Sequence, residues 1–182
     1  MNTEPLIGFI GQGWIGKNYA SDFENRGFKT VRFGLEPEYK DNKEKIKDCD
    51  ITIIAVPTPT TPEGFNYSAV EDALSNIGTG KVALIKSTLL PGTTIELQKK
   101  FKDIFVFFSP EFLSTATASF DASNPSRNIV GMPILSKEHE ERAKFVMSKL
   151  PQAPYEKICS STEAEIIKYV RNCIGYSRVL MA

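Results

Sequence analysis

Short apolar runs alternate along this chain with segments whose apolar residues recur at helical spacing. The run at 51–56 is apolar except for Thr52, as expected of a strand that is buried on both faces of a sheet. Further strand-like runs lie at 6–10, 29–33, 81–85, 104–108 and, more weakly, 128–131, and helical patterns lie at 14–26, 68–76, 93–100 and 137–150. Strands that alternate with helices predict an α/β fold with a doubly wound, mostly parallel sheet.

Composition and charge exclude several classes of protein. The 182 residues are 41% hydrophobic and 24% charged, which is typical of a globular chain with an ordinary core. Basic and acidic residues both number 22, so no net field favours nucleic acid or an anionic membrane. The apolar runs are too short to span a bilayer, and residues 1–4 carry no basic signal-peptide region. Three widely spaced cysteines, Cys49, Cys159 and Cys173, predict neither disulfides nor a metal site and favour a cytoplasmic location.

Residues 11–16 read Gly-Gln-Gly-Trp-Ile-Gly and lie between the first predicted strand and the first predicted helix. In such a GxGxxG turn, the first glycine makes a tight turn and the second admits a pyrophosphate close to the backbone. The third lets the helix pack against the strand, and the helix N-terminus adds N–H donors. The motif therefore predicts a Rossmann-like dinucleotide site, whose residues are Gly11, Gly13, Trp14, Ile15 and Gly16.

The sequence also offers two candidates for contact with the adenosine ribose. In NAD-binding domains, a carboxylate about 20 residues beyond the glycine turn accepts a hydrogen bond from the ribose 2′-OH. Glu36 has this spacing from Gly16, although it follows the end of the second strand and adjoins Pro37. Arg32 could instead favour the 2′-phosphate of NADP, or it could be an outward-facing strand residue. We expect NAD as the cofactor with Glu36 at the ribose, and NADP remains open.

Three further loops begin where predicted strands end, which is the edge where open α/β sheets bind ligands. They start with Val56, Pro57 and Thr58, with Ser87 and Thr88, and with Ser109, Pro110 and Glu111. Prolines stiffen the first loop and leave its threonine hydroxyls for a ligand. The hydroxyls of the second loop could meet a ligand or cap the next helix. A carboxylate such as Glu111 at this edge is well placed for base chemistry.

Taken in order, these motifs resemble the N-terminal domain of the UDP-glucose/GDP-mannose dehydrogenase family. That domain carries GxGxxG, VPTP, STxxPGTT and NPEFL, which correspond here to 11–16, 56–59, 87–94 and 109–113. Residues 124–131 resemble the family's PxRxxxG segment, and 164–172 resemble the start of its central helix, AExxKxxxN. The resemblance implies a dinucleotide-binding domain at 1–160, followed at 161–182 by the beginning of a central dimerisation helix.

The resemblance implies a nucleotide-sugar 6-dehydrogenase. Such enzymes oxidise a sugar's primary alcohol to a carboxylate in two NAD-dependent steps, through an enzyme-bound thioester. Carried over position by position, Thr88 would help to activate water, and Glu111 would be the general base of thioester hydrolysis. Lys168 and Asn172, one helical turn apart, would stabilise the oxyanion. The implied partners are a nucleotide-sugar substrate and a second copy of the chain.

The chain departs from the family pattern at several positions. The family's nucleophilic cysteine lies in a GGxCxPKD stretch beyond the central helix, and these residues contain neither that stretch nor the second nucleotide-binding domain. We therefore expect a cofactor domain that is inactive by itself, either a fragment or a truncated relative. Gly34 stands where the second strand usually ends in an acid. Thr115 replaces a second carboxylate near the nicotinamide and is still an expected cofactor contact, and Ala116 replaces a glycine.

Two alternative functions stay open at this point. One is a non-catalytic nucleotide-binding or assembly module. The other is a different Rossmann dehydrogenase, of the 6-phosphogluconate or β-hydroxyacid type, although the VPTP and SPEFL segments argue against it.

The segment from Ser161 onward is expected to form a helix that drives self-association. Ser160 and Glu163 have capping-box spacing, which sets the helix start. An apolar stripe lies opposite Lys168 and Asn172 on a helical wheel, and it consists of Ile166, Ile167, Val170, Cys173, Ile174, Leu180 and Met181. Because monomers avoid exposed apolar stripes, we expect a symmetric homodimer with Ile174 and Leu180 near its centre. A frayed tail after about Asn172 is the alternative.

Overall fold

The computed structural model describes residues 4–181, apart from the side chains of residues 178–180. Its strands are β1 (Ile7–Ile10), β2 (Thr30–Phe33), β3 (Ile51–Ile54), β4 (Thr60–Thr61), β5 (Gly64–Phe65), β6 (Val82–Ile85), β7 (Phe105–Phe108), β8 (Asn128–Met132) and β9 (Glu156–Ser160). Its α-helices are α1 (Trp14–Asn25), α2 (Ser68–Leu74), α3 (Thr93–Lys100), α4 (Ala118–Ser123), α5 (Lys137–Met147) and α6 (Ser161–Leu180), and a 3₁₀ helix spans Lys40–Asp48. Within these residues, none of the helices combines the length and the hydropathy that crossing a membrane requires.

Seven strands form one sheet in the order β2-β1-β3-β6-β7-β8-β9, and β4 and β5 form a separate hairpin. The first five strands of this order run parallel, which confirms the predicted doubly wound, mostly parallel α/β fold. β1 lies between β2 and β3, so that Ile7 pairs with both Thr30 and Ile51. The winding reverses at β1 and β3, and in such sheets a crevice opens beyond the carboxyl ends of those two strands.

Apolar side chains cover both faces of the sheet because the central strands are buried on both sides. Phe9, Phe23 and Phe107 belong to the cluster beneath α1, α4 and α5. Ile54 and Leu97 belong to the cluster on the opposite face, beneath α2, α3 and α6. This two-sided burial explains why the strands read as continuous apolar runs.

The far edge of the sheet differs from the sequence-based prediction. β8 runs antiparallel to β7, through the pairing of Phe108 with Gly131, and β9 runs parallel to β8. The segment Glu156–Ser160 was not predicted as a strand, since its only buried residue is Cys159. A Cβ on Gly131 would lie 2.8 Å from Ala164 Cβ, so the glycine allows α6 to pack directly on β8.

Two polar contacts fix the start of α6. Ser160 Oγ accepts a hydrogen bond from the backbone N–H of Glu163 at 3.2 Å, which confirms the predicted helix start. The carboxylate of Glu165, fully buried, accepts hydrogen bonds from the backbone N–H of Gly92 (2.6 Å) and of Thr94 (2.9 Å) at the N-terminus of α3. Burial raises the pKa of Glu165. Its hydrogen bonds to Gly92 N–H, Thr94 N–H and Thr94 Oγ1 offset part of this cost. Glu165 therefore ties α6 to the N-terminus of α3.

Candidate functional site

A cleft of about 960 Å³ opens at the carboxyl ends of β1 and β3, where the strand order reverses. The predicted cofactor residues that line it are Gly11, Gly13, Trp14, Ile15, Glu36, Val56, Pro57, Thr58, Ser87 and Thr88. Its volume is that of an ordinary small-molecule or cofactor site. The cleft therefore brings together loops that lie up to 77 positions apart in the chain, from Gly11 to Thr88.

The three glycines of the first loop have three different packing environments. Gly11 has a φ of +91°, and a Cβ there would lie 2.4 Å from the carbonyl oxygen of Ala55. A Cβ on Gly16 would lie 1.8 Å from the carbonyl oxygen of Gly11, so this glycine permits the close packing of α1 on the loop and does not line the cleft. A Cβ on Gly13 would meet no atom within 4 Å, because this position faces open space.

The N-terminus of α1 faces the same cleft. Gly13 is its N-cap, no side chain caps the helix, and the first turn carries no acidic residue. Trp14 and Ile15 contribute first-turn N–H groups, which have no acceptor within the helix. An open position at Gly13 beside free N–H donors fits the pyrophosphate of a dinucleotide.

Hydrogen bonds tie the two loops of the opposite wall together. Ser87 Oγ accepts from the backbone N–H of Val56 at 2.9 Å and donates to the carbonyl oxygen of Val56 at 2.7 Å. Thr58 Oγ1 donates to the carbonyl oxygen of Thr88 at 2.9 Å. The Ser87 and Thr58 hydroxyls, which were expected to meet a ligand or, for Ser87, to cap the next helix, instead bond to the facing loop and hold the wall in one shape. Pre-organised walls lower the entropic cost of binding.

The structure places the two candidates for ribose contact in different surroundings. Glu36 lines the cleft, and its Oε2 occupies the space that a Cβ on Gly34 would take. Arg32 instead forms a bidentate pair with Glu24 on α1, at 2.8 and 2.5 Å. These bonds lower the pKa of Glu24 and raise the pKa of Arg32. Arg32 is therefore held on the outer side of β2, and a carboxylate remains at the position next to the cleft.

A buried ion pair lies at the same carboxyl edge, beyond β7. Lys168 Nζ on α6 donates to Glu111 Oε1 at 2.5 Å and to the Glu111 carbonyl oxygen at 2.8 Å. The two side chains are only 8% and 11% exposed. Glu111 Oε2 also accepts from the backbone N–H of Leu113 at 2.9 Å, so the carboxylate has a fixed orientation. The structure thus unites two predicted catalytic residues that are 57 positions apart.

The remaining predicted site residues are not part of this arrangement. Asn172 lies one turn beyond Lys168 and is exposed, and Thr115 is exposed in the loop before α4, outside the cleft. Their functional roles stay predictions.

The three cysteines have different environments. Burial raises the pKa of Cys49 to about 12 and that of Cys159 to about 11, so both thiols are poor nucleophiles. Cys173 is exposed on α6. Across residues 4–181 no three His, Cys, Asp or Glu side chains converge as metal ligands would.

The cleft has further walls that no motif marked residue by residue. The charged run at 36–50, with ten charged residues in fifteen, left open a nucleotide-reading role beside that of a solvated helix face. Lys43, from the charged 3₁₀ segment, lies at its rim, and Asp72 and Asn76 contribute from α2 and the turn that follows. Helical periodicity predicted α2, but it identified the buried face of that helix and not the polar side chains at its margin.

Comparison with known proteins identifies the family of this fold. Residues 34–150 match the model of the UDP-glucose/GDP-mannose dehydrogenase family, NAD binding domain. The chain is 35% identical to an uncharacterized protein of Methanocaldococcus jannaschii, over 95% of this chain and 24% of that protein. It is 26% identical to UDP-glucose 6-dehydrogenase AglM of Haloferax volcanii, over 97% of this chain and 52% of the enzyme. It therefore spans about half, or less, of the length of these relatives.

Solved structures show the same fold. A UDP-glucose dehydrogenase from the archaeon Pyrobaculum islandicum superposes with a TM-score of 0.80 at 22% identity, over 93% of this chain and 49% of that structure. With the matched family model covering more than half of the residues, the chain belongs to the UDP-glucose/GDP-mannose dehydrogenase family, of which it carries the NAD-binding domain.

Proposed function

We propose that this chain is the cofactor-binding part of a nucleotide-sugar 6-dehydrogenase that uses NAD. The observation that carries the proposal is a shared sheet edge: the cleft flanked by the glycine turn and the buried Glu111–Lys168 pair both lie at the carboxyl ends of the parallel strands. A bound NAD would supply the hydride acceptor. The chain's own part is to hold the pyrophosphate at Gly13 and the ribose at Glu36.

In this proposal the catalytic side chains act on the sugar's reacting carbon. Glu111 accepts a proton from the water that hydrolyses the thioester, and the Thr88 hydroxyl helps to orient that water. The Lys168 ammonium and the Asn172 amide donate to the developing oxyanion. The Lys168–Glu111 contact supports this assignment because it keeps an acid–base group and a cation together, away from bulk water.

The surroundings of the cysteines bear on the thioester step of the proposed reaction. Thioester formation needs a reactive thiolate, and burial keeps Cys49 and Cys159 protonated at neutral pH. Cys173 is exposed, but it belongs to the apolar stripe of α6, opposite Lys168 and Asn172. We therefore propose that the 182-residue chain by itself binds cofactor but does not complete the oxidation of a nucleotide sugar.

Titration calorimetry tests the cofactor assignment. NAD should bind with a dissociation constant below about 1 mM, and NADP should bind about tenfold or more weakly, because a 2′-phosphate would face the Glu36 carboxylate. In the same samples, NAD plus UDP-glucose should yield no NADH. Failure of both dinucleotides to bind at millimolar concentration would overturn the proposal, and tighter binding of NADP would overturn its choice of cofactor.

We further propose that the exposed face of α6 joins two copies of the chain. Ile166, Val170 and Ile174 are 45%, 50% and 45% exposed, and they lie four residues apart on one face of the helix. Ile167 of the predicted stripe packs instead against the core, and the side chain of Leu180 lies outside the described residues.

Sedimentation velocity at micromolar concentration measures this association. The wild type should sediment as a dimer and Ile174→Glu as a monomer, since a charge would be buried in a symmetric interface twice. Leu135→Glu is the matched control: this leucine is 76% exposed and distant from α6 in the sequence, so its substitution should leave the dimer intact. A wild-type monomer that Ile174→Glu does not change would contradict the proposal.

A further inference from the structure

A second, smaller cavity of about 120 Å³ lies beside the catalytic pair, on the side of the sheet that α1 and α4 cover. Its lining includes Tyr19 of α1, Lys86 after β6, Phe112 after β7, and Asp121 and Arg127 from α4 and the following loop. Lys86 separates this cavity from the cofactor cleft, because the next residues, Ser87 and Thr88, line the cleft. Neither the proposed cofactor contacts nor the proposed catalytic roles use the cavity.

Lys86 is the unusual feature of this cavity. It is only 3% exposed, and its ammonium donates to Ser109 Oγ at 3.2 Å and lies 4.4 Å from the centre of the Tyr19 ring. Within residues 4–181, no carboxylate lies within ion-pair distance of it. An ammonium has three N–H donors, so the two contacts leave donor capacity unused. Burial without a close counter-ion lowers the pKa of Lys86 to about 8.

The other charged groups at the cavity do not neutralise Lys86. Arg127 stacks on Phe112 at 5.2 Å, and it forms no ion pair or side-chain hydrogen bond with any described residue. Asp121 Oδ2 already accepts from the backbone N–H of Ser114 (2.9 Å) and from Thr117 Oγ1 (2.8 Å). Glu111 also acts on Lys86 electrostatically from outside the lining, but its carboxylate is paired with Lys168. The cavity lining therefore presents two cations with spare donors against one carboxylate that is largely occupied.

We propose that this cavity is a subsite for a small oxyanion, a carboxylate or a phosphate group, held by Lys86 and Arg127. The volume corresponds to about four water molecules, which admits one such group and not a whole nucleotide. An oxyanion would accept hydrogen bonds from the unused N–H groups of both cations. These charge-assisted bonds would offset the free-energy cost of burying the Lys86 ammonium. The proposal does not depend on the binding of NAD.

Calorimetry with inorganic phosphate and with sodium acetate, at an ionic strength held constant with chloride, tests the subsite. The wild type should bind at least one of the two anions saturably. The anion that binds more tightly shows whether the subsite prefers a phosphate group or a carboxylate. Lys86→Met and Arg127→Gln should each weaken that binding at least about tenfold. Lys29→Met, at an exposed lysine, should leave it unchanged. Arg127→Gln carries the test if Lys86→Met does not fold, since Arg127 is exposed.

The pH dependence of anion binding separates this role from a purely structural one. The groups around Lys86 are Tyr19 from α1, Ser109 and Glu111 after β7, Asp121 from α4, Arg127 from the loop after α4 and Lys168 from α6. Burial raises the pKa of Tyr19, and hydrogen bonds lower that of Asp121, so neither changes charge near pH 8. Lys86 loses its charge as the pH rises through about 8, so the affinity of the protein for the anion should fall over this pH range. The Lys86→Met variant should not show this pH-dependent fall.

Two results would overturn the subsite. One is the absence of saturable binding of both phosphate and acetate to the wild type. The other is binding that Arg127→Gln leaves unchanged. Neither result affects the cofactor assignment, which the NAD titration tests separately.

Discussion

Gly13→Ala is expected to weaken NAD binding at least about tenfold while it leaves the thermal stability of the chain nearly unchanged. The backbone at Gly13 has a φ of −67°, which any residue adopts, and a Cβ there would meet no protein atom within 4 Å. The open space is the one that a pyrophosphate needs at the helix N-terminus. The added methyl group therefore obstructs the ligand and not the fold. Calorimetry with NAD and thermal unfolding of the same sample measure the two effects.

Gly16→Ala is the matched control, with the same atoms added three residues later. Its Cβ would lie 1.8 Å from the carbonyl oxygen of Gly11, so the backbone must shift and stability should fall by about 3 kcal/mol. Stability losses of equal size in both variants, or undiminished NAD binding by Gly13→Ala, would contradict the role assigned to Gly13.

Lys168→Met is expected to lower the free energy of unfolding by about 3–5 kcal/mol, because it leaves the buried Glu111 carboxylate without its counter-ion. The side chains of the pair are 8% and 11% exposed, so solvent screens their interaction weakly. The double variant Glu111→Gln/Lys168→Met should recover much of the loss, since no buried charge then stands alone. Urea denaturation of the wild type, the two single variants and the double variant gives the coupling energy.

An exposed ion pair on α5 provides the comparison. Lys144 Nζ lies 2.5 Å from Glu140 Oε1, the same separation as in the buried pair, but these side chains are 63% and 50% exposed. Lys144→Met should therefore lower the free energy of unfolding far less than Lys168→Met does. An equally small cost for Lys168→Met would show that the Glu111–Lys168 pair is solvated, and it would remove the physical basis for proposing a buried acid–base pair.

The parts of this fold that local sequence patterns determine were predictable. The buried strand at β3 reads as a continuous apolar run. The glycine turn at 11–16 follows from a positive φ at Gly11 and from a close contact that leaves no room for a Cβ at Gly16. The carboxyl ends of parallel strands lie at one edge of a sheet. The prediction of parallel strands was therefore enough to expect Val56, Ser87 and Glu111, which follow three of these strands, at that edge.

Long-range polar contacts were not predictable in the same way. The buried bonds of Glu165 to the N-terminus of α3 join residues about 70 positions apart, and no periodicity marks them. β9 was missed because its residues are mostly half-exposed and polar, at the edge of the sheet. The pairing of Arg32 with Glu24 depends on how α1 packs beside β2, so the sequence left both roles of Arg32 open. The position of Lys86 beneath the Tyr19 ring of α1 likewise depends on tertiary packing.

The most direct test of the central claim is to follow the backbone amide signals of isotope-labelled protein during titration with NAD. The largest shifts should lie at residues 11–16, at 56–58 and at 87–88, with Glu36 among the affected residues, because these groups line the proposed cofactor cleft. A separate cleft of about 750 Å³, distinct from the cofactor cleft and from the proposed anion subsite, lies between α3 and α5. Its lining includes Ile95, His139 and Arg142. Shifts confined to the cleft between α3 and α5, or no shifts at millimolar NAD, would contradict the assignment of this chain's cofactor site.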